Sequence, residues 1–199
     1  HTRMQIFHPS FFINDVGEHP TPMTMISVDD VKTGKWKVNP GIASNFNVSY
    51  AALTSHVIHY CEKLESKGKY QLTIWPYHAM LGGIGHALVS ILEEASFFHG
   101  CVRNTETGTE IKGGNVFTEN YSVLSPEVLT TPDAKTGEKA IAQKNARFIE
   151  KLLKYDMLII AGQAKSHCVA WTIDDLLNEI AIKDPSLAKK VYLLEDCTS

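Results

Sequence analysis

The sequence predicts an α/β layered fold, a parallel sheet covered by helices. Strand and helix alternate through the second half of the chain, the order that builds parallel sheets. Met157–Ala161 is an unbroken apolar run of strand length, the kind buried on both faces of such a sheet. Lys139–Lys154 carries an apolar stripe at helical spacing: Ile141, Ala142, Ala146, Ile149, Leu152 and Leu153.

Each element has its own signal. The opening stretch is loop-rich, with Pro9, Pro20, Pro22 and Pro40 among Gly17, Gly34 and Gly41, and Met23–Val28 is extended enough to pair. Val48–Leu64 reads as a helix, with Leu53, Val57, Ile58, Cys61 and Leu64 on one side and Lys67-Gly68 as its stop. Gln71–Trp75 is a short strand ended by Pro76. Gly82, Gly83 and Gly85 make a turn. His86–Phe97 is amphipathic and helical, and Phe97–Val102 reads as a strand. Gly108–Glu119 is a loop. Cys168–Ile182 is a helix, and Val191–Leu194 closes the series as a strand. No repeat or linker divides residues 1–199, which are taken as one domain.

Composition narrows the function. The chain is 44% apolar and 21% charged with a net charge of -3, so no basic surface marks nucleic acid or an anionic membrane as partner. No apolar run approaches a membrane span. The 4 cysteines are scattered, which favours reduced thiols and a cytoplasmic setting over a disulfide framework.

Four features can carry chemistry. First, the strand Met157–Ala161 runs through Gly162-Gln163-Ala164 into a helix that opens at Cys168. Strand carboxyl ends are where open α/β sheets bind ligands, and a helix start favours a thiolate and can stabilise an oxyanion. Second, Trp75-Pro76-Tyr77-His78 follows a strand. His78 suits either metal ligation or acid–base work, and Trp75 suits stacking on a flat substrate. Third, His1 and His8 flank Gln5-Ile6-Phe7, a spacing that would need the fold to bring them together on a metal. Fourth, Lys112 lies beside Gly113-Gly114, where its charge can approach a reacting thiol. Each also has a plain structural reading: a filler cysteine, a packed corner, exposed histidines and a solvated lysine.

Taken together these segments resemble the isochorismatase-like cysteine hydrolases, closest to the nicotinamidase-related amidohydrolases. Gly162-Gln163-Ala164-Lys165-Ser166-His167-Cys168-Val169 resembles the family's cysteine motif, Trp75-Pro76-Tyr77-His78 its W-P-x-H segment, and Ile111-Lys112-Gly113 with Glu119-Asn120-Tyr121-Ser122 its lysine segment. The resemblance implies a three-layer α-β-α fold with a central, mainly parallel sheet. It implies hydrolysis of a small amide, nicotinamide to nicotinate and ammonia, in an NAD-linked metabolism. Other amides, ureido compounds, vinyl ethers or a non-catalytic scaffold are the alternatives. Cys168 would be the nucleophile and Lys112 its lysine partner. A cis Gln163–Ala164 bond would aim the N–H groups of Ala164 and Cys168 at the oxyanion. Trp75 and Gln163 would contact the substrate. His1, His8 and His78 would hold a divalent metal, zinc, with iron or manganese as alternatives. The partner would be a small-molecule amide, with a homo-oligomer left open. The family's catalytic aspartate, metal-binding aspartate and first strand have no counterpart before His1. The expectation is that the chain lacks its N-terminal portion.

Overall fold

The structure, a computed structural model, describes residues 4–67 and 70–199. It is a mixed α/β arrangement with 2-stranded sheets in place of one central sheet. The N-terminal half is organised by a long helix. Two short strands, β1 (Phe12–Ile13) and β2 (Met25–Ile26), precede the small helix α1 (Val28–Lys32), strand β3 (Lys37–Val38) and helix α2 (Pro40–Asn45). Helix α3 (Tyr50–Ser66) follows, and then strand β4 (Leu72–Thr73). β1 pairs antiparallel with β3, and β2 with β4.

These elements close around α3 for reasons visible in the chain. Ser49 caps the helix by accepting the Ala52 N–H, and Leu53, Val57, Tyr60, Cys61 and Leu64 recur at helical spacing on its buried side. They pack with Ile6, Phe11, Phe12, Ile26 and Leu72 in one apolar cluster. Ser27 and Asp30 form a reciprocal capping box that starts α1, so Asp30 is a cap rather than a merely solvated charge.

The second half holds helix α4 (Ser90–Arg103), the hairpin β5 (Thr130–Asp133) and β6 (Gly137–Ala140), helix α5 (Ala146–Leu153), strand β7 (Leu158–Gly162), helix α6 (Ala170–Lys183) and strand β8 (Val191–Thr198). β7 and β8 form a parallel pair, and the other sheets are antiparallel. Leu124, Ile149, Leu158, Leu176 and Ile180 make a second apolar cluster between β7, α5 and α6.

Several expectations need correction. Among the described residues β7 and β8 are the single parallel pair, where a central parallel sheet was expected. Phe97–Val102 is not a strand: α4 continues through it to Arg103 and stops at Asn104, whose φ of 52° ends the helix in the left-handed region. The apolar pairs Phe97-Phe98 and Cys101-Val102 fit either period, and local helix continuity decides. The helix expected over Lys139–Lys154 begins only at Ala146, behind an Asn145 cap. Asp133 accepts the N–H groups of Lys135 and Thr136, and this turn draws Lys139 and Ala140 into the hairpin instead. β7 is apolar but not buried on both faces, since Ile159 is 64% exposed. α4 likewise has no buried residue. No helix among the described residues is long and apolar enough to cross a membrane.

His56 on α3 supplies a pH-dependent tie between the halves. Its Nε2–H donates to the Phe117 carbonyl at 2.7 Å, and its Nδ1 accepts from the Thr131 hydroxyl at 2.9 Å. Burial, opposed by the Phe117 bond and aided by His59, lowers its pKa below the ordinary 6.5. The unfolded chain therefore takes up this proton first. His56's contribution to stability is complete above pH 6.5 and is lost as pH falls toward the lower folded value. Urea unfolding at pH 8 and pH 5 should show native stability falling with acidification, and falling less in His56→Gln. Equal losses in both proteins would contradict this.

Candidate active site

The turn after β7 sets the position of the thiol. Gly162 has φ +121°, a conformation that strains any side chain. The Gln163–Ala164 peptide bond is cis, as the resemblance implies. The chain then makes a π-helical turn, Lys165–Val169, before α6 starts at Ala170. Cys168 therefore lies in that turn and not in the first turn of an α-helix. The Ala164 carbonyl accepts N–H groups from both His167 and Val169, each at 3.1 Å, and so widens the turn. Cys168 is half-buried with a free thiol, and the other cysteines are free as well. The N–H of Ala164 has no hydrogen-bond partner among the described residues, as an oxyanion donor requires.

Lys112 reaches the same place from the loop before Tyr121. Its Nζ donates to the Tyr121 carbonyl at 2.6 Å, which fixes the ammonium. Gly113 follows with φ +83°, and a Cβ there would stand 2.8 Å from Gln5 Oε1. Gln5 is 1% exposed and its Nε2 donates to the carbonyls of Asn115 and Thr118 at 3.1 and 2.7 Å. This side chain pins the lysine loop against the N-terminal half.

Trp75 leaves β4 half-buried and donates its Nε1–H to the Tyr121 hydroxyl at 3.2 Å. His167, next to Cys168, has its ring stacked on Tyr70 at 4.5 Å and set edge-on to Trp75 at 5.4 Å. Cys168, Lys112, Ala164, Gln163, Trp75 and His78 all line one cavity of about 670 Å³. One wall comes from the first apolar cluster, through Phe7 and Trp75, and another from the turn between β7 and α6.

His8 and His78 are not brought to one cavity. His1 lies outside the described residues. His8 lines a separate small cavity, with its ring 4.4 Å from that of Tyr77, whereas His78 lines the large one. His8 Nδ1 accepts the Ser10 N–H, so its neutral ring carries the proton on Nε2, where a metal ligand needs a lone pair. That Nε2 is buried without a hydrogen-bond partner. His78 donates Nδ1–H to the Pro76 carbonyl at 2.7 Å. Among the described residues no group of three metal-binding side chains converges. His8 and His78 as placed do not fit one shared ion, and no chemical step is routed through a metal.

Gln5, Glu119, Tyr121 and His167 also line the cavity; the sequence placed Glu119 and Tyr121 within the lysine segment but gave them no role at the site. Gln5 carried no pattern, and His167 only its adjacency to Cys168. Glu119 is 2% exposed, and neither carboxyl oxygen has a hydrogen-bond partner of good geometry. Burial, with the neighbouring Glu127 carboxyl, raises its pKa well above the ordinary carboxylate value. Burial and Glu119 likewise suppress ionisation of Tyr121. Burial lowers the pKa of His167, leaving a neutral imidazole at pH 7.

No family model, curated protein or solved structure matches this chain.

The Gly113 geometry makes a direct prediction. Gly113→Ala should cost about 1–3 kcal/mol in urea unfolding, from the strained φ and the displaced Gln5. It should also impair Lys112-dependent activity. Unchanged stability would show that Gln5 does not pin the loop.

Proposed function

We propose that this chain is a cysteine-dependent amidase that hydrolyses a small carboxamide and releases ammonia, with nicotinamide as the leading substrate. The observation that supports it is the meeting of Cys168, Lys112 and the unpartnered Ala164 N–H on one cavity, from segments far apart in sequence. Random placement of a filler cysteine and a loop lysine does not predict that meeting.

The chemistry follows from those groups. The Cys168 thiolate attacks the amide carbon, and the carbonyl electron pair moves to oxygen. The N–H groups of Ala164 and Cys168 receive the oxyanion. Collapse of this intermediate breaks the C–N bond and leaves a thioester, which water hydrolyses. Lys112, held by the Tyr121 carbonyl, keeps a fixed positive charge at the cavity wall and favours the ionised sulfur. Trp75 packs against a flat substrate, and Gln163 offers its side-chain amide. Burial pushes the Glu119 carboxyl beneath the wall toward its neutral form, which opposes a thiolate less than a carboxylate would.

The size of the cavity supports a second reading of the substrate. About 670 Å³ is ample for ligands well beyond a single pyridine ring, so a larger aromatic amide is the alternative.

Ammonia release from nicotinamide and from larger aryl carboxamides tests the proposal. Cys168→Ala should lose turnover by about 10⁴-fold or more, and Lys112→Met by about 100-fold or more, with the fold intact by circular dichroism. Full activity in Cys168→Ala would reject the mechanism. Activity on the larger amides alone would favour the second substrate reading.

A further inference from the structure

The amidase reading sets Cys168 and Lys112 to work together, and the two come from segments that meet only in the fold. A misplacement of about 1 Å between working groups can cost about 100-fold in rate, so their separation has to be held. Part of the support is local to each segment. The Ala164 carbonyl gathers the N–H groups of His167 and Val169, and the Tyr121 carbonyl holds the Lys112 ammonium at 2.6 Å. One bond links the segments beyond the turn: the Val123 N–H donates to the Thr172 hydroxyl at 3.3 Å. The turn itself needs a second tie.

Tyr70 stands where that tie is needed. It lies just before β4, which pairs with β2 and buries Leu72 in the first apolar cluster, so a packed body carries it. Its hydroxyl donates to the Ser166 carbonyl at 2.9 Å, across 96 positions of sequence. Its ring stacks on His167, with centroids 4.5 Å and planes 22° apart. The same ring meets Tyr121 edge-on at 5.7 Å and Trp171 of α6 edge-on at 5.8 Å. One side chain thus touches the two residues ahead of Cys168, the start of α6 behind it, and the residue whose carbonyl fixes Lys112. Tyr70 is not among the residues that line the cavity, so it meets these groups from outside it.

We infer that Tyr70 is a positioning residue for the amidase reaction, the spacer that sets the Cys168 turn against the Lys112 segment. The inference rests on the amidase reading above. The hydroxyl clamps the turn through the Ser166 carbonyl, and the ring is wedged between His167 and Tyr121. Without the hydroxyl the turn keeps its stacked ring and loses its clamp. Without the ring, His167, Tyr121 and Trp171 lose a shared neighbour, and the separation of thiol and ammonium is no longer fixed. Because Tyr70 lies outside the cavity, its loss acts on the chemical step and leaves substrate binding in place.

Hydrogen exchange followed peptide by peptide, beside steady-state ammonia release from nicotinamide and larger aryl carboxamides, tests this in Tyr70→Phe and Tyr70→Ala. In Tyr70→Phe the amides of Lys165–Val169 should exchange about 5-fold faster and kcat should fall about 5-fold, the worth of one ordinary hydrogen bond. In Tyr70→Ala kcat should fall about 100-fold while KM stays within about 2-fold. Phenylalanine, which restores the stacked ring, should therefore recover most of what alanine loses. The amides of α3 over Leu53–Leu64 should exchange as in the native protein in both variants, which separates a local effect from general loosening. Native kcat and native exchange in both variants would overturn the Tyr70 assignment alone. So would a loss expressed only in KM, or faster exchange shared equally by α3. A native protein that releases no ammonia from any of these amides would overturn the amidase reading, and the positioning role with it.

Discussion

The candidate site depends on one carbonyl. Ala164 O accepts the N–H groups of both His167 and Val169, and this paired acceptance shapes the turn between β7 and α6. Without it, Cys168 and His167 would not both line the cavity wall. The parallel pairing of β7 with β8 anchors the turn from below, and the N–H of Lys165 bonds back to the carbonyl of Ser199 at 2.5 Å. The Leu158–Leu176–Ile180 cluster holds strand and helix at a fixed separation. The turn that carries Cys168 is therefore held between packed elements.

The opposite wall is set by a different interaction. Gln5 ties the N-terminal segment to the carbonyls of Asn115 and Thr118, and so places the loop that carries Lys112. Trp75 and Tyr121 join the two walls through the indole N–H to hydroxyl bond. Beneath them burial and the Glu127 carboxyl push the Glu119 carboxyl toward its neutral form.

Sequence patterns conveyed local structure well where one period stood alone. α3 follows from its apolar spacing and its Ser49 cap, and β7 from an apolar run bounded by Gly162. Met23–Val28 was legible as an extended stretch able to pair, but β4 as the partner of Met25–Ile26 was not. Patterns failed where turn chemistry overrode periodicity, as Asp133 did for Lys139 and Ala140. They failed again where a run fitted two periods, as in Phe97–Val102. Of the candidate site, the segments carrying Cys168, Lys112, Trp75 and His78 were legible because each combines a turn signal with a reactive side chain. Gln5 was not, because its importance comes from burial and long-range hydrogen bonding that no local pattern records. His8 was singled out by residue type alone, and the tautomer set by the Ser10 N–H is a property that residue type does not record.

Trapping with hydroxylamine tests the central claim, a thioester on Cys168, most directly. Hydroxylamine intercepts a thioester to give a hydroxamate, so the native protein supplied with nicotinamide should divert product from nicotinate to the hydroxamate while ammonia release continues. Ammonia and nicotinate formed with no hydroxamate at any hydroxylamine concentration would contradict a covalent intermediate and the account built on it.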